Sequence, residues 1–430
     1  MLIGNATLPD GTTADVRVDG ETIDAVGDLG GGGEADVDAT GKLLMPGAID
    51  VHVHFRQPGF SHKETWATGS RSAAAGGVTT VVDQPNTDPP TVTGDAFDEK
   101  AALAADSLVD WGINGGVTDS WEPDSLFDRP LFALGEVFLA DSTGDMGIEA
   151  ALFDDAVELA ADNDVPVTVH AEDADLFDEA ALDAADDGIG KDADADAWSA
   201  YRPAEAEAAA VERACEVAAD SGADLHIAHT STPEGIDAAA DAGATCEVTP
   251  HHLFISRDDL PELGTYGRMN PPLRSEPRRE AVFERVADGT VDVIATDHAP
   301  HTVEEKEATI RDAPSGVPGV ETMVPLLLVE ATATDGAFGY ERVRDLVATN
   351  PAEIFGLDAK GRVAEGYDAD LALYDIDTGR EIRGSDLHSN CGWTPFEGWT
   401  GIFPEWTTVR GTVVWDGEEF GENDGRNVRN

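Results

Sequence analysis

Lysine is scarce in this sequence. Only six lysines occur among 430 residues, against 86 aspartates and glutamates, and the formal net charge is −59. In dilute buffer so many like charges repel one another, whereas about 1 M salt shortens the Debye length to roughly 3 Å and screens most of that repulsion. The composition therefore predicts adaptation to a very salty cytoplasm. It argues against nucleic-acid binding, because a negative surface repels phosphates.

Cysteines and long apolar runs are also scarce. The three cysteines, Cys215, Cys246 and Cys391, lie far apart and form no paired spacing, which fits a reduced compartment. No run of 18 or more apolar residues occurs, so we expect no membrane span. The first residues lack a basic region followed by an apolar core, so we expect no secretory signal and a cytoplasmic location.

Short β-strands are predicted at both ends of the chain. Residues 2–6, 14–18 and 23–26 are separated by Pro-Asp-Gly and Asp-Gly turns, and the Asp-Gly-Glu of residues 19–21 recurs at 416–418. The glycine run at 30–33 is not a phosphate loop, because no Lys-Ser/Thr follows it. If the ends meet, residues 1–46 and 357–430 build one small β domain. The polar tail after Glu419 is expected to fray.

Between these ends, apolar strands alternate with alanine-rich helices. The strand candidates are residues 48–54, 79–84, 111–117, 134–139, 167–170, 224–229, 244–249 and 292–297. This alternation predicts an α/β fold, a (β/α)₈ TIM barrel over residues 47–356, with an open doubly wound sheet as the alternative. The barrel is favoured because polar residues follow the ends of different strands, which would form one mouth: His54, Asn86, His170, His229 and Asp297.

Residues 50–59, Asp-Val-His-Val-His-Phe-Arg-Gln-Pro-Gly, predict a metal site. Side chains alternate along a strand, so His52 and His54 project to one face, where they can share a divalent ion such as zinc. Arg56 follows at the strand end, and its planar guanidinium suits a carboxylate. Two histidines at this spacing could also belong to an ordinary polar strand face, so the interpretation depends on partners elsewhere.

Those partners are His170, His229 and Asp297, each at the end of a later strand. Four histidines and a carboxylate are enough ligands for two metal ions that share a water, and zinc lowers the pKa of a bound water to about 7. Asp297 could accept that proton and pass it to a leaving nitrogen. The residues thus predict hydrolysis of an amide-like bond.

With these residues in place, a series of short motifs becomes informative as a set. The motifs occupy residues 50–59, 84–87, 170–173, 268–274, 296–302, 315–319 and 395–398. In this order they make the sequence, from about residue 45 to residue 400, resemble the dihydroorotases of class I type in the amidohydrolase superfamily. The resemblance implies a TIM barrel with a small β-sandwich domain built from both chain termini.

The resemblance also implies an activity, the reversible cyclisation of N-carbamoyl-L-aspartate to (S)-dihydroorotate in pyrimidine synthesis. It makes His52, His54 and Asp297 ligands of one zinc ion, and His170 and His229 ligands of a second. It assigns substrate binding to Arg56, Asn86, Asn270, His54 and His301, with the backbone of Ser315 and Gly316 facing the ring. It further suggests a homo-oligomer that associates with aspartate transcarbamoylase.

One departure from the family pattern concerns the fourth strand. Many relatives carry a carboxylated lysine there that bridges both metals, but residues 134–144 contain no lysine. Glu136 stands at the lysine's place, and Asp141 lies near an aspartate that some dihydroorotases use instead. In so acidic a protein either residue could be a solvated acid. We favour Glu136 as the bridging ligand.

Two other functions remain open at this point. Allantoinases and hydantoinases of the same superfamily hydrolyse related cyclic ureides, but a substrate without a carboxylate does not need Arg56. The chain could also be an inactive barrel that serves as a scaffold for aspartate transcarbamoylase. Inactive members usually lose metal ligands, whereas all the predicted ones are present here.

Overall fold

The computed structural model describes residues 1–30, 35–142, 146–334, 336–422 and 425–430. Most of the glycine run at 30–33 therefore lies outside the described residues. In the described part of the chain, no helix combines the length and apolar content that crossing a bilayer requires.

An eight-stranded sheet unites the two ends of the chain. Its strands run in the order β18-β17-β14-β5-β1-β2-β3, and β4 pairs with β1. The strands are β1 (Leu2–Thr7), β2 (Thr13–Asp19), β3 (Thr22–Gly27), β4 (Val37–Asp38), β5 (Leu43–Pro46), β14 (Leu371–Tyr374), β17 (Pro404–Val409) and β18 (Thr412–Trp415). Alternate side chains such as Val16 and Val18 point into its core, as period-two patterning predicts. The predicted small β domain built from both termini is confirmed.

Eight parallel strands close into a barrel. They are β6 (Ala48–Val53), β7 (Val78–Asp83), β8 (Asp110–Ile113), β9 (Leu134–Phe138), β10 (Val167–His170), β11 (Leu225–Ile227), β12 (Thr245–Val248) and β13 (Val293–Ile294). β6, β7 and β8 form one ladder and β9 to β13 another. Parallel bridges from Gly115 to Leu134 and from Val53 to His298 join the two ladders at both seams. The barrel prediction is confirmed.

Helices cover the barrel between its strands. The α-helices are α1 (Trp66–Ala75), α2 (Gly94–Ala104), α3 (Pro123–Phe127), α4 (Ala150–Asp162), α5 (Glu179–Asp183), α6 (Asp196–Tyr201), α7 (Ala204–Ser221), α8 (Pro233–Ala242), α9 (Pro250–Phe254), α10 (Leu260–Leu263), α11 (Glu276–Asp288), α12 (Val303–Lys306), α13 (Met323–Thr332), α14 (Tyr340–Arg344) and α15 (Asn350–Ile354). The sequence dictates some boundaries directly. Thr65 caps α1 in a capping box with Thr68, and glycines in left-handed conformation end α7 and α8.

The segment that follows β14 returns to the barrel. Two short strands, β15 (Arg380–Glu381) and β16 (Thr400–Gly401), pair with each other, and the chain between them packs Trp393 and Phe396 into a second apolar core beside α6 and α10. The expectation that the whole tail frays is wrong for residues 425–430. Asn427 is buried and bridges to Trp111 of β8, because the start of that strand pairs with β7 on one edge and takes this partner on the other.

Candidate metal centre and substrate cavity

The predicted ligands meet at the carboxyl-terminal mouth of the barrel. His52 and Glu136 lie within β6 and β9, and His170 is the last residue of β10. His229 and Asp297 follow β11 and β13 by two or three residues. The backbone of Arg56, His229 and Asp297 is left-handed, with φ of 63°, 32° and 46°. Non-glycine residues rarely adopt this conformation, and such strain concentrates at functional sites.

A buried carboxylate ties two of the ligand-bearing segments together. Asp50 Oδ1 accepts hydrogen bonds from the backbone N–H groups of His52 at 3.2 Å and Thr296 at 3.0 Å, and Oδ2 accepts from the Thr296 hydroxyl at 2.5 Å. Burial raises the pKa of Asp50 to about 6. The contact fixes His52 and Asp297 relative to each other, although they are far apart in sequence.

The first group of ligand atoms contains two histidines and two carboxylates. His54 Nε2 lies 2.9 Å from Asp297 Oδ1. His52 Nε2 lies 3.6 Å from the same oxygen and 3.3 Å from Glu136 Oε2. All four side chains are buried.

The second group shares the Glu136 carboxylate with the first. Glu136 Oε1 lies 2.6 Å from His229 Nε2 and 3.0 Å from His170 Nδ1. The two histidine nitrogens are 3.0 Å apart. The two oxygens of Glu136 therefore face different groups, which is the arrangement that a bridging carboxylate needs.

Asp141 belongs to neither group. It is exposed, and its Oδ1 accepts a hydrogen bond from the backbone N–H of Gly147 at 2.7 Å. Glu136 is held differently. Its backbone N–H donates a hydrogen bond to Gln84 Oε1, and the same oxygen accepts a second hydrogen bond from Asn114 Nδ2. The structure thus brings Glu136, and not Asp141, to the histidines.

The proton positions of the histidines fit metal binding. His52 Nε2 has no hydrogen-bond partner although it is buried. Three of the four rings donate their outer N–H to a neighbouring oxygen: His52 Nδ1 to Glu247 at 2.6 Å, His54 Nδ1 to Asn86 at 2.7 Å and His170 Nε2 to Glu172 at 3.0 Å. Each such bond leaves the inner nitrogen of a neutral ring with its lone pair toward the cluster, as in metal-ligating histidines.

Most of the ligand atoms lie closer together than those of an occupied zinc site, so an ion would move them slightly apart. Zinc–nitrogen and zinc–oxygen bonds of about 2.0–2.2 Å put the ligand atoms of a tetrahedral site roughly 3.3–3.5 Å apart. The contacts within the two groups run from 2.6 to 3.6 Å. Two sets of residues are each compact enough to hold an ion: His52, His54 and Glu136 form one, and Glu136, His170 and His229 form the other.

The cluster favours positive charge. Burial opposes protonation of His52, yet Glu247 and Glu136 raise its pKa well above the ordinary value. Burial likewise opposes ionisation of Glu136, yet His52 and His229 lower its pKa well below the ordinary value. Buried carboxylates in this number need cations, and divalent metal ions can supply that charge.

Glu247 is a supporting residue that sequence reasoning missed. It lies on β12, where Oε1 accepts from His52 Nδ1 and from the backbone N–H of His229 at 3.1 Å. Its Oε2 accepts from His226 Nε2 at 3.2 Å. One carboxylate therefore orients ligands from both groups. The signal was present, because Glu247 is the one charged residue in the predicted strand 244–249.

Glu172 orients His170 in the same way. Glu172 is fully buried and pairs with Arg202, whose Nη2 lies 2.6 Å from Glu172 Oε2. Burial raises the pKa of Glu172, but Arg202 and His170 outweigh it and hold that pKa far below the ordinary value. The carboxylate stays ionised and keeps the outer nitrogen of His170 protonated.

A narrow cavity opens beside the ligands, and the space between its walls is about 280 Å³ when the solvent at its mouth is included. Its walls contain residues of the metal groups and most of the predicted substrate-binding residues: His54, Glu136, His229, Asp297, Arg56, Asn86, Asn270, Ser315 and Gly316. Phe138, Ser142 and Ala299 complete the wall. Gly316 is required, since a Cβ atom there would lie 2.7 Å from the Ala299 carbonyl oxygen. The sequence did not indicate Ser142.

Arg56 supplies a buried positive charge to this cavity. Burial lowers its pKa only to about 10, so the guanidinium is charged at neutral pH. It donates through Nε to the Pro300 carbonyl at 3.3 Å. An anion that enters the cavity would find this charge poorly solvated and therefore strongly attractive.

His301 lies behind Arg56. Among the residues that the structure describes, it is not part of the cavity wall but contacts residues that are. Its Nε2 is 2.9 Å from the Ser315 carbonyl oxygen and 3.2 Å from Arg56 NH2, while Lys63 Nζ is 3.1 Å from Nδ1. Burial, and then the cations Arg56, Lys306 and Lys63, hold the pKa of His301 well below its ordinary value. The ring is neutral: Nε2 donates its hydrogen to the Ser315 carbonyl and Nδ1 accepts from Lys63, so the adjacent Arg56 is a packing neighbour of the ring rather than a hydrogen-bond donor to it.

Comparison with known proteins agrees with this geometry. The amidohydrolase family matches residues 43–400 of the chain. A curated dihydroorotase of Halobacterium salinarum is 69% identical over 430 residues, which cover 100% of this chain and 99% of that protein. A curated dihydroorotase of Methanosarcina mazei is 43% identical over 405 residues, which cover 91% of this chain and 87% of that protein.

Solved structures with the same fold are also similar over nearly the whole chain. L-Hydantoinase (dihydropyrimidinase) from Arthrobacter aurescens matches with a TM-score of 0.91 and 29% identity, over 99% of this chain and 98% of that one. Dihydropyrimidinase from Brevibacillus agri matches with a TM-score of 0.88 and 26% identity, over 100% and 98%. The likeness includes the β domain as well as the barrel.

Proposed function

The chain belongs to the amidohydrolase family, and from that premise we propose that it catalyses the dihydroorotase reaction, the reversible closure of N-carbamoyl-L-aspartate to (S)-dihydroorotate in pyrimidine biosynthesis. One observation carries the proposal: a cluster of histidines and carboxylates shares a single cavity with the buried guanidinium of Arg56. The cluster suits amide hydrolysis, and Arg56 suits a substrate that carries a carboxylate.

We propose that the cluster holds two zinc ions. His52, His54 and Asp297 would bind one, His170 and His229 the other, and Glu136 would bridge them. When bound, such ions supply Lewis acidity, which makes the ring amide carbonyl electrophilic and water more acidic. The lone-pair directions of His52, His54 and His170 support this assignment.

Asp297 moves the proton in this proposal. In ring opening, water adds to the amide carbonyl, the carbon–nitrogen bond breaks, and the released nitrogen gains a proton. Without metal, burial raises the pKa of Asp297, but hydrogen bonding to His54 and the charge of His52 outweigh it and lower that pKa below the ordinary value; bound cations would likewise keep the carboxylate ionised. The carboxylate is therefore free to accept the proton of the water and to return it to the nitrogen.

The substrate would be held by donors in the same cavity wall. Arg56 and Asn86 would bind its carboxylate, Asn270 would donate a further hydrogen bond, and the backbone of Ser315 and Gly316 would face the ring. A hydantoin without a carboxylate leaves the charge of Arg56 unpaired, so Arg56 favours dihydroorotate over the substrates of hydantoinases. The intact ligand set argues against an inactive scaffold.

The test is a ring-opening assay in about 2 M salt, which screens the acidic surface. We expect the absorbance of dihydroorotate to fall, a chelator to stop the reaction and added zinc to restore it. Turnover of hydantoin but not of dihydroorotate would contradict the proposal. Turnover that survives removal of all metal would contradict the metal assignment.

Three finer proposals concern the surroundings of the enzyme. The chain would act in the cytoplasm, which agrees with three buried free cysteines. It would form a homo-oligomer. Size-exclusion chromatography with light scattering in molar salt tests this, because it gives the mass of the particle directly. It would associate with aspartate transcarbamoylase, and co-elution of the two purified proteins in the same salt tests that association.

A further inference from the structure

Helix α6 places an indole next to Asn270, which lines the substrate cavity. The helix belongs to the long connection between β10 and α7, and Trp198 near its centre is 7% exposed. The Arg268 guanidinium stacks on the ring with its central carbon 3.7 Å from the ring centre. Arg257 makes a two-pronged ion pair with Asp196 at the start of the helix, at 2.6 and 2.7 Å. These contacts fix the indole before any substrate binds.

The indole determines which way the Asn270 amide points. Trp198 Nε1 lies 2.9 Å from Asn270 Oδ1 and 3.2 Å from the Met269 carbonyl oxygen. An indole nitrogen can only donate, so the amide atom that faces it must be the oxygen. The amide nitrogen then points away from the ring and donates to Ser142 Oγ at 3.1 Å. Since that nitrogen carries two hydrogens, one remains available to the cavity that Asn270 and Ser142 line.

Asn86 is oriented by His54, whose Nδ1 carries the hydrogen when Nε2 keeps its lone pair for the metal cluster. Its Oδ1 accepts from His54 Nδ1 at 2.7 Å, which turns its amide nitrogen away from His54. The polar wall around Arg56 therefore presents amide hydrogens rather than amide oxygens. Such a wall attracts the oxygens of an anionic substrate, whereas a reversed amide would repel them.

We propose that Trp198 is a positioning residue for the dihydroorotase reaction, which keeps the Asn270 amide oriented as a hydrogen-bond donor to a substrate oxygen. This inference rests on the proposed function and on the substrate-binding role of Asn270. Trp198 acts through Asn270 and takes no part in the proton transfer. Its loss should therefore weaken substrate binding and leave the chemical step largely unchanged.

The variant Trp198→Phe tests this inference. Phenylalanine keeps an aromatic ring for Arg268 and for the surrounding apolar core, but it removes the N–H, so the Asn270 amide can reverse. Trp111→Phe is the matched control, because Trp111 is also 7% exposed and donates its indole N–H to a carbonyl, that of Gly425, at 3.2 Å. It lies on β8, outside the cavity wall.

We expect Trp198→Phe to raise KM for dihydroorotate about tenfold, as the loss of a hydrogen bond to a charged group implies, with kcat within about twofold of the parent. Trp111→Phe should change neither constant beyond about twofold. In an Asn270→Ala background, Trp198→Phe should have almost no further effect on KM, because the group it orients is gone.

Two outcomes would overturn the inference. One is a Trp198→Phe enzyme with the parental KM, and the other is the same rise in KM with Asn270 present or absent, which would mean a general packing effect. Failure of the proposed function is recognised separately, because the parent protein itself would then not turn over dihydroorotate. In that case the assigned role of Trp198 falls with it.

Discussion

Glu136 Oε1 lies 2.6 Å from His229 Nε2, while the other oxygen of the same carboxylate faces His52 at 3.3 Å. A single short side chain on β9 thus reaches both histidine groups. This contact gives the first prediction.

Glu136→Ala should lower the bound metal per chain, because each group of ligands loses an oxygen. Elemental analysis after dialysis against buffer without chelator measures the content, and we expect a loss of about one ion of two. Asp141→Ala is the control, since Asp141 is exposed and bound to Gly147. Equal metal content in the parent and in Glu136→Ala would contradict the bridging role.

Arg56→Met should abolish measurable turnover of dihydroorotate. The substitution keeps much of the side-chain volume but removes the only charge that we assign to the substrate carboxylate. We expect kcat/KM to fall at least about 100-fold, as for a buried charged hydrogen-bonding partner. Any hydantoin hydrolysis should be unaffected, so a parallel loss of both activities would point to misfolding or metal loss instead.

Glu247→Gln should weaken metal binding, although we do not assign Glu247 as a metal ligand. The carboxylate accepts hydrogen bonds from His52 and His226 through different oxygens, and an amide has only one oxygen to offer. We expect metal affinity about 10- to 100-fold lower, measured by competition with a chromophoric chelator. Glu365→Gln, at an exposed position, is the control. An unchanged affinity would mean that His52 is oriented by other contacts.

Lys360 should contribute stability that is lost at alkaline pH. Its ammonium joins Asp110 of the barrel, at 2.8 Å, to Asp370 beside β14, at 2.6 Å. Burial lowers the pKa of Lys360, but Asp370 and Asp368 outweigh it and raise the pKa above 10.5. The folded state therefore binds the proton more tightly than the unfolded state. The stabilisation is complete below about pH 10.5 and falls as the pH rises through the folded-state pKa.

Lys360→Met should accordingly cost about 3–5 kcal/mol at neutral pH, because it leaves Asp370 and Asp368 without this cation, although Asp110 keeps its ion pair with Arg410. Denaturant unfolding from about pH 8 to about pH 11.5 should show the parent and the variant converging above about pH 10.5. Lys42→Met, which removes a partly exposed pair with Glu405, should cost no more than about 1 kcal/mol. If the difference in unfolding free energy between the parent and Lys360→Met grew with pH, the prediction would be contradicted.

Salt should stabilise the folded protein strongly. The net charge of −59 is spread along the chain, so folding brings many like charges together. We expect the thermal unfolding temperature to rise steadily between about 0.2 M and about 3 M potassium chloride, because screening shortens the range of that repulsion. An unfolding temperature that does not depend on salt would contradict this.

The sequence by itself determined the strand–helix alternation, the ligand types and the acidic composition, because periodicity, spacing and charge are local properties of the chain. It located His54, His170, His229 and Asp297 at strand ends and His52 on the same strand face as His54, and the structure brings all five to one mouth. Tertiary structure alone decided which carboxylate lies between the histidine groups. It also decided that His301 stands behind Arg56, and that Glu247 and Trp198 orient groups distant in sequence. Those relationships depend on distances across the closed barrel. The segments involved are far apart in the sequence, and nothing local in either segment shows that they are in contact.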